Sequence, residues 1–131
     1  MNVEQARFNM IEQQIRPWEV LDPEVLALLS VVKREDFVPL AHKALAFVDM
    51  ELPLPEGECM LAPRVEARML QQLQVQKHEK VLEIGAGSGY MAALLAHRAQ
   101  RVITLDIKPA LAQLARANLQ KAGVTNAEVR E

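Results

Sequence analysis

One cysteine, Cys59, is present in 131 residues. An internal disulfide is therefore impossible, and a reducing cytoplasm is the compartment expected. No apolar stretch approaches the ~20 residues a membrane helix requires, so no membrane span is expected. The start, Met1-Asn2-Val3-Glu4-Gln5-Ala6-Arg7, lacks the basic stretch and apolar run of a signal peptide. Charge of one sign is also missing: the net charge is −2, which gives no electrostatic reason to expect nucleic acid or an anionic membrane as partner. The three histidines, His42, His78 and His97, share no ligand-like spacing, so no metal is expected. Glycine is scarce too, at five residues, yet three of them fall between Gly85 and Gly89. Half of the residues are hydrophobic and 24% are charged, a balance that suits one packed domain.

The first half reads as helices and irregular chain. Phe8, Ile11 and Ile15 lie on one helical face, predicting a helix over 3–16 that stops before Pro17. Asp22-Pro23 is a start signal for a second helix to about Val32. Lys33-Arg34-Glu35-Asp36 reads as a solvated turn. Residues 46–63 hold Pro53, Pro55, Gly57 and Pro63, too many breakers for a helix or central strand. A third helix begins at Pro63, with Val65, Met69 and Leu73 on its apolar face, and is expected to end near Lys77-His78. Trp18 reads as a packing anchor and Cys59 as a buried or unreactive thiol. Arg64 and Arg68, one turn apart, read as a solvated face before a site for a carboxylate substrate.

The second half changes character. Lys80–Ile84 is β-prone, 90–98 helical, 101–107 β-prone, and a helix opened by Pro109 is terminated near Gly123. Ala127–Glu131 begins another strand. The order β-α-β-α-β implies parallel strands with helices on their faces. The expected class is α/β: a partial Rossmann-type fold preceded by N-terminal helices. The expected division is 1–63, helical and irregular, and 64–131, the first half of a Rossmann-type domain.

The glycines sit between the first strand of this half and its helix. Such a turn lets the backbone approach a ligand and opens a helix with free amides. The dinucleotide fingerprint G-x-G-x-x-G, read from Gly85, requires a glycine where Tyr90 stands. The pattern acidic-x-G-x-G-x-G is met in full by Glu83, Gly85, Gly87 and Gly89. A carboxylate at Glu83 would repel a pyrophosphate and suits a ligand with a cationic amino group, such as S-adenosylmethionine. Asp106 ends the second strand about twenty residues past Gly85, where nucleotide folds place an acceptor for ribose hydroxyls. The candidate cofactor residues are Glu83, Gly85, Ala86, Gly87, Gly89 and Asp106. S-adenosylmethionine ranks first as cofactor, with S-adenosylhomocysteine as its product; a nicotinamide dinucleotide and a plain turn are the alternatives.

Beyond the turn, further stretches carry a resemblance: Met10-Ile11, Leu21-Asp22-Pro23-Glu24-Val25-Leu26, Arg34-Glu35-Asp36-Phe37-Val38-Pro39, Asp49 with Leu52-Pro53-Leu54-Pro55, and Val81 to Tyr90. Together they resemble the protein-L-isoaspartate O-methyltransferase family over nearly the whole chain. The resemblance implies methyl transfer to the α-carboxylate of isoaspartyl residues in damaged proteins, a form of protein repair, in the cytoplasm. It names no catalytic residue here. Where the family carries a Thr-Ile-Ser-Gln-Pro-like stretch, this sequence reads Cys59-Met60-Leu61-Ala62-Pro63. Leu61 thus replaces a serine associated with substrate handling. That leaves a non-catalytic binding module as the competing reading. The family also continues through further strands, so the resemblance implies a truncated chain. A Rossmann-type order of 3-2-1-4-5 would then leave the first strand an open edge, with self-association or cover by the N-terminal helices as consequences.

Overall fold

The computed structural model describes residues 2–131. Two compact units divide the chain: Met1–Leu52 with Leu61–Gln74, and Pro53–Met60 with Val75–Glu131. The helix that opens at Pro63 groups with the N-terminal helices, although it lies beyond the linear cut at residue 63. No helix among the described residues is long and apolar enough to cross a membrane.

In the first unit, α1 spans Val3–Met10, and the side chain of Asn2 caps it by accepting the Gln5 N–H at 3.0 Å. A five-residue π-helix, Ile11–Ile15, and a 3-10 turn, Arg16–Trp18, continue it. Only the first part of the expected 3–16 helix is therefore α-helical. The wider π turn shifts the phase of the residues after Met10. Ile11 and Ile15 are buried as expected, but Phe8 is 58% exposed and Arg7 is buried in its stead. Arg7 is drawn in by a two-bond pairing with the Glu35 carboxylate, both contacts at 2.8 Å. Glu4 and the face of the Phe47 ring complete its surroundings.

Helix α2, Pro23–Val31, starts as the Asp22-Pro23 signal implies: the Asp22 carboxylate accepts the Glu24 N–H at 2.9 Å. The expected solvated turn at 33–36 is instead a 3-10 helix, Arg34–Phe37, with Arg34 1% exposed. Its guanidinium donates to Glu66 Oε1 at 2.5 Å and to the Ala46 and Leu61 carbonyls, each at 2.9 Å. A buried guanidinium is tolerated because its donors find partners. Helix α3, Pro63–Leu73, ends short of Lys77-His78, with Gln74 in the left-handed conformation at its end. Its buried face is Glu66, Ala67 and Leu70, whereas the expected face residues Met69 and Leu73 are exposed. Pairing of Glu66 with Arg34 turns the helix away from the face its apolar spacing suggests.

Strand β1 (Leu52–Pro53) runs across the division at Leu52; in the second unit a turn at Pro55–Gly57, closed by the Leu54 N–H donating to the Glu58 carbonyl at 2.9 Å, leads into β2 (Cys59–Met60). The alternating part follows: β3 (Lys80–Ile84), α4 (Tyr90–Arg98), β4 (Arg101–Leu105), α5 (Pro109–Lys121) and β5 (Ala127–Arg130). The three strands form a parallel sheet in the order β3-β4-β5, with Glu83 opposite Thr104 and Ile103 opposite Glu128. This is the α/β, Rossmann-type arrangement expected. Strand β4 stops at Leu105 rather than Ile107. The Asp106 N–H still bonds the Arg130 carbonyl, but Ile107 turns outward and is 89% exposed. Leu94, Val102, Leu111 and Ala115 fill the core between sheet and helices. Strand β3 is an edge, and its Leu82 and Ile84 are exposed.

Candidate functional site

The turn after β3 is built on backbone conformations that only glycine adopts without strain. Gly85, Gly87 and Gly89 have φ of 94°, 54° and 87°. The N–H groups of Gly85 and Ala86 both donate to the Leu105 carbonyl, at 2.7 and 2.9 Å, tying the turn to the end of β4. Gly89 opens α4, and a Cβ there would lie 3.2 Å from the Ala115 carbonyl oxygen. Its missing side chain is what lets α4 and α5 approach so closely.

Asp106 stands beside this turn at the end of β4. Its carboxylate accepts the Gly87 N–H at 3.2 Å through one oxygen and the Lys108 N–H at 3.0 Å through the other. The carboxylate is thus oriented by backbone, with lone pairs left over for a ligand. Glu83, on β3, accepts the Thr104 hydroxyl at 2.6 Å across the sheet.

A cavity of about 420 Å³ opens at the carboxyl ends of β3 and β4, the position at which open α/β sheets bind ligands. Gly85, Gly87 and Asp106 line it, as do Ile107 and Lys108 from the turn before α5, Leu111 from α5, and Glu58 and Cys59 from the Pro53–Met60 segment. Glu83, Ala86 and Gly89 are not on its lining. Ala86 is buried behind the turn, and Gly89 faces α5. The structure therefore assembles three of the six candidate residues at one wall and leaves the other three as supports of it. Ile107 and Lys108 follow Asp106 directly and carried no pattern of their own; Glu58 and Cys59 reach the cavity from far along the chain. Cys59 is exposed rather than buried.

Carboxylates dominate the cavity's charge: Glu58, Asp106 and Glu131 against Lys108. Lys108 is itself neutralised. Its Nζ donates to Glu58 Oε1 at 2.7 Å and to the Glu56 carbonyl at 2.9 Å, and the Glu58 carboxylate raises its pKa above the usual lysine value. Among the described residues no group of three or more His, Cys, Asp or Glu is arranged to hold a metal ion.

In the first unit, Arg64 and Arg68 are not simply solvated. The Arg64 guanidinium lies 4.3 Å from the centre of the Trp18 ring, and Arg68 donates to the Trp18 carbonyl at 2.8 Å. Trp18 is 39% exposed, so it packs under arginine rather than in the core. Leu61 contributes its carbonyl to Arg34.

The model of the protein-L-isoaspartate(D-aspartate) O-methyltransferase family matches residues 5–131. The chain belongs to this family. It is 43% identical over 123 residues to the protein-L-isoaspartate O-methyltransferase of Methanoculleus marisnigri, covering 94% of this chain and 56% of that protein. Its identity to the Herpetosiphon aurantiacus protein of the same name is 41% over 126 residues, covering 96% of this chain and 56% of that one. The chain thus spans about half the length of the curated relatives it matches. Among solved structures, a Plasmodium falciparum protein assigned to the same family superposes with a TM-score of 0.74 at 17% identity, covering 99% of this chain and 62% of that one. That protein was solved in complex with S-adenosyl-L-homocysteine. Over the part that it spans, the chain therefore has the fold of the isoaspartate methyltransferases.

Proposed function

We propose that the cavity beside Gly85, Gly87 and Asp106 holds S-adenosylmethionine, and that the protein takes part in methyl transfer to isoaspartyl carboxylates of damaged proteins. The observation that carries this reading is the placement of Asp106. Its carboxylate is held by two backbone N–H groups at the mouth of a glycine turn, in a cavity with more acids than bases. With Lys108 and Glu58 paired to each other, a pyrophosphate would meet the unbalanced carboxylates of Asp106 and Glu131. A sulfonium ligand with an amino group and no phosphate meets no such repulsion. The volume is within the ~300–1,000 Å³ of small-molecule sites. The Plasmodium protein, solved with S-adenosyl-L-homocysteine, supports the same choice.

Asp106 would accept the ribose hydroxyls, and Ile84, Ile107 and Leu111 offer apolar surface to the adenine ring. Glu83 supports the wall through Thr104. Bound there, the cofactor supplies an electrophilic methyl group. The acceptor carboxylate is ionised near neutral pH, so the protein's task is alignment rather than proton removal. The family relationship supports the repair role, and the single cysteine supports a reducing compartment, the cytoplasm. Titration with S-adenosylhomocysteine tests the cofactor part: wild-type protein binds, and Asp106→Ala binds about tenfold or more weakly, the loss expected for hydrogen bonds to a charged group.

Leu61 favours a second reading, a binding module without transfer activity, because a pocket that loses a designed hydroxyl loses selectivity. Labelled methyl transfer to an isoaspartyl peptide separates the two: transfer supports repair, and cofactor binding without transfer supports the module. We also propose that the open β3 edge, with Leu82 and Ile84 exposed, pairs with a second copy. Sedimentation equilibrium showing only monomer would contradict that.

A further inference from the structure

We propose that Lys108 is a positioning residue of the adenosyl site, pinning the Pro53–Met60 segment as the outer wall of the cavity. The inference rests on the adenosyl reading of that cavity and adds to it the element that encloses the ligand. Four observations converge. Lys108 Nζ reaches this segment twice, at Glu58 Oε1 (2.7 Å) and at the Glu56 carbonyl (2.9 Å). Glu56 and Gly57 are consecutive left-handed residues, with φ of 67° and 73°. A side chain disfavours that conformation, and it persists where the surroundings hold it; here the carbonyl of the strained residue is the one Lys108 grips. Leu54, at the start of the segment, lies where a Cβ on Gly87 would be 3.4 Å from its Cδ1, so the segment also rests on the glycine turn. Finally, Glu58 and Cys59 line the cavity.

The same residue joins the wall to the ribose acceptor. The backbone N–H of Lys108 holds Asp106 Oδ1 while its side chain holds the wall. One short turn, Asp106-Ile107-Lys108, therefore sets both the floor and the cover of the site. The pairing of Glu58 with Lys108 also removes the one cation on the lining from contact with an anionic ligand.

Cys59, the only cysteine, is a built-in reporter, since it is exposed and lies on the wall. The test combines maleimide labelling of Cys59, titration with S-adenosylhomocysteine, and thermal melting for wild type, Lys108→Met, Glu58→Gln and the exchanged pair Glu58→Lys with Lys108→Glu. Expected results are faster labelling in both single variants and ligand affinity lowered by about fivefold, the upper end for an exposed pair. Melting should be nearly unchanged, and the exchanged pair should return towards wild type. Wild-type affinity in Lys108→Met would overturn the proposal. So would weakened binding that tracks a lowered melting temperature with unaltered labelling, which marks a merely structural role. If wild type fails to bind S-adenosylhomocysteine, the adenosyl reading fails. Labelling of the ligand-free proteins then still decides the pinning, and equal rates in wild type and Lys108→Met refute it.

Discussion

Two arginines, Arg7 and Arg34, are among the deepest side chains of the first unit, exposed by 2% and 1%. In the second unit the deep positions are aliphatic or small, with Thr104, Ser88, Asp106 and Tyr90 the polar exceptions. The first unit is held by side-chain pairs between segments far apart in sequence: Arg7 with Glu35, and Arg34 with Glu66. The second is shaped by backbone, through a parallel ladder and glycines at positive φ. Specification by long-range pairs makes a unit sensitive to loss of one partner. Specification by backbone makes it sensitive to a single added methyl group.

The largest expected effect is in the first unit. Above about pH 7, where the Glu66 carboxyl is ionised, Glu66→Ala leaves the Arg34 guanidinium buried and without its counter-ion, and should cost about 3–5 kcal/mol in urea denaturation. A loss under ~1 kcal/mol would mean that the pair is not what organises this unit. In the second unit, Gly89→Ala combines left-handed strain with a contact at 3.2 Å to the Ala115 carbonyl oxygen, and should cost about 1–3 kcal/mol. Gly87→Ala meets only ordinary contact with Leu54 and should cost about 1 kcal/mol. Equal costs at the two glycines would remove the close approach of α4 and α5 as the reason for Gly89.

The pH response sharpens the same contrast. Burial pushes the Glu66 carboxyl up to about 7, with Arg34 pulling the other way, against 4.5 for the free group. The folded protein then holds the extra proton between those values. Its contribution to stability is full below about 4.5 and is lost as pH rises through 7. Glu35 opposes this: burial raises its pKa, but the hydrogen bonds from Arg7 win and hold it below 4.5. Its contribution is lost as pH falls. Denaturation of Glu66→Gln at about pH 5 and about pH 7.5 should show less decline with rising pH than wild type. The smallest effects are expected at Phe8→Ser and Met69→Gln. Both residues are exposed, so each change should stay within about 0.5 kcal/mol. A loss above ~2 kcal/mol would restore the faces that apolar spacing suggests.

How much of the molecule was legible follows from the same division. In the second unit the elements run 80–84, 90–98, 101–105, 109–121 and 127–130, close to what β-prone runs, Pro109 and Gly123 imply. The glycine turn and Asp106 were readable because backbone rules act over a few residues. In the first unit, Arg34 looked solvated because nothing within a few residues of it announces Glu66, 32 positions on. The buried face of α3, which includes Glu66, is hidden from local apolar spacing for the same reason. The π turn at Ile11–Ile15 left no mark in composition. At the site, the contribution of Glu58 and Cys59 depends on a pairing with Lys108 across 50 residues, beyond any local pattern.

An adenosyl ligand without phosphate is what the cavity beside Asp106 is proposed to accept. Calorimetric titration of this chain with S-adenosylhomocysteine and with NAD under the same conditions tests it most directly. Saturable binding of S-adenosylhomocysteine at one site and no measurable heat with NAD are expected. Binding of NAD without S-adenosylhomocysteine would contradict it.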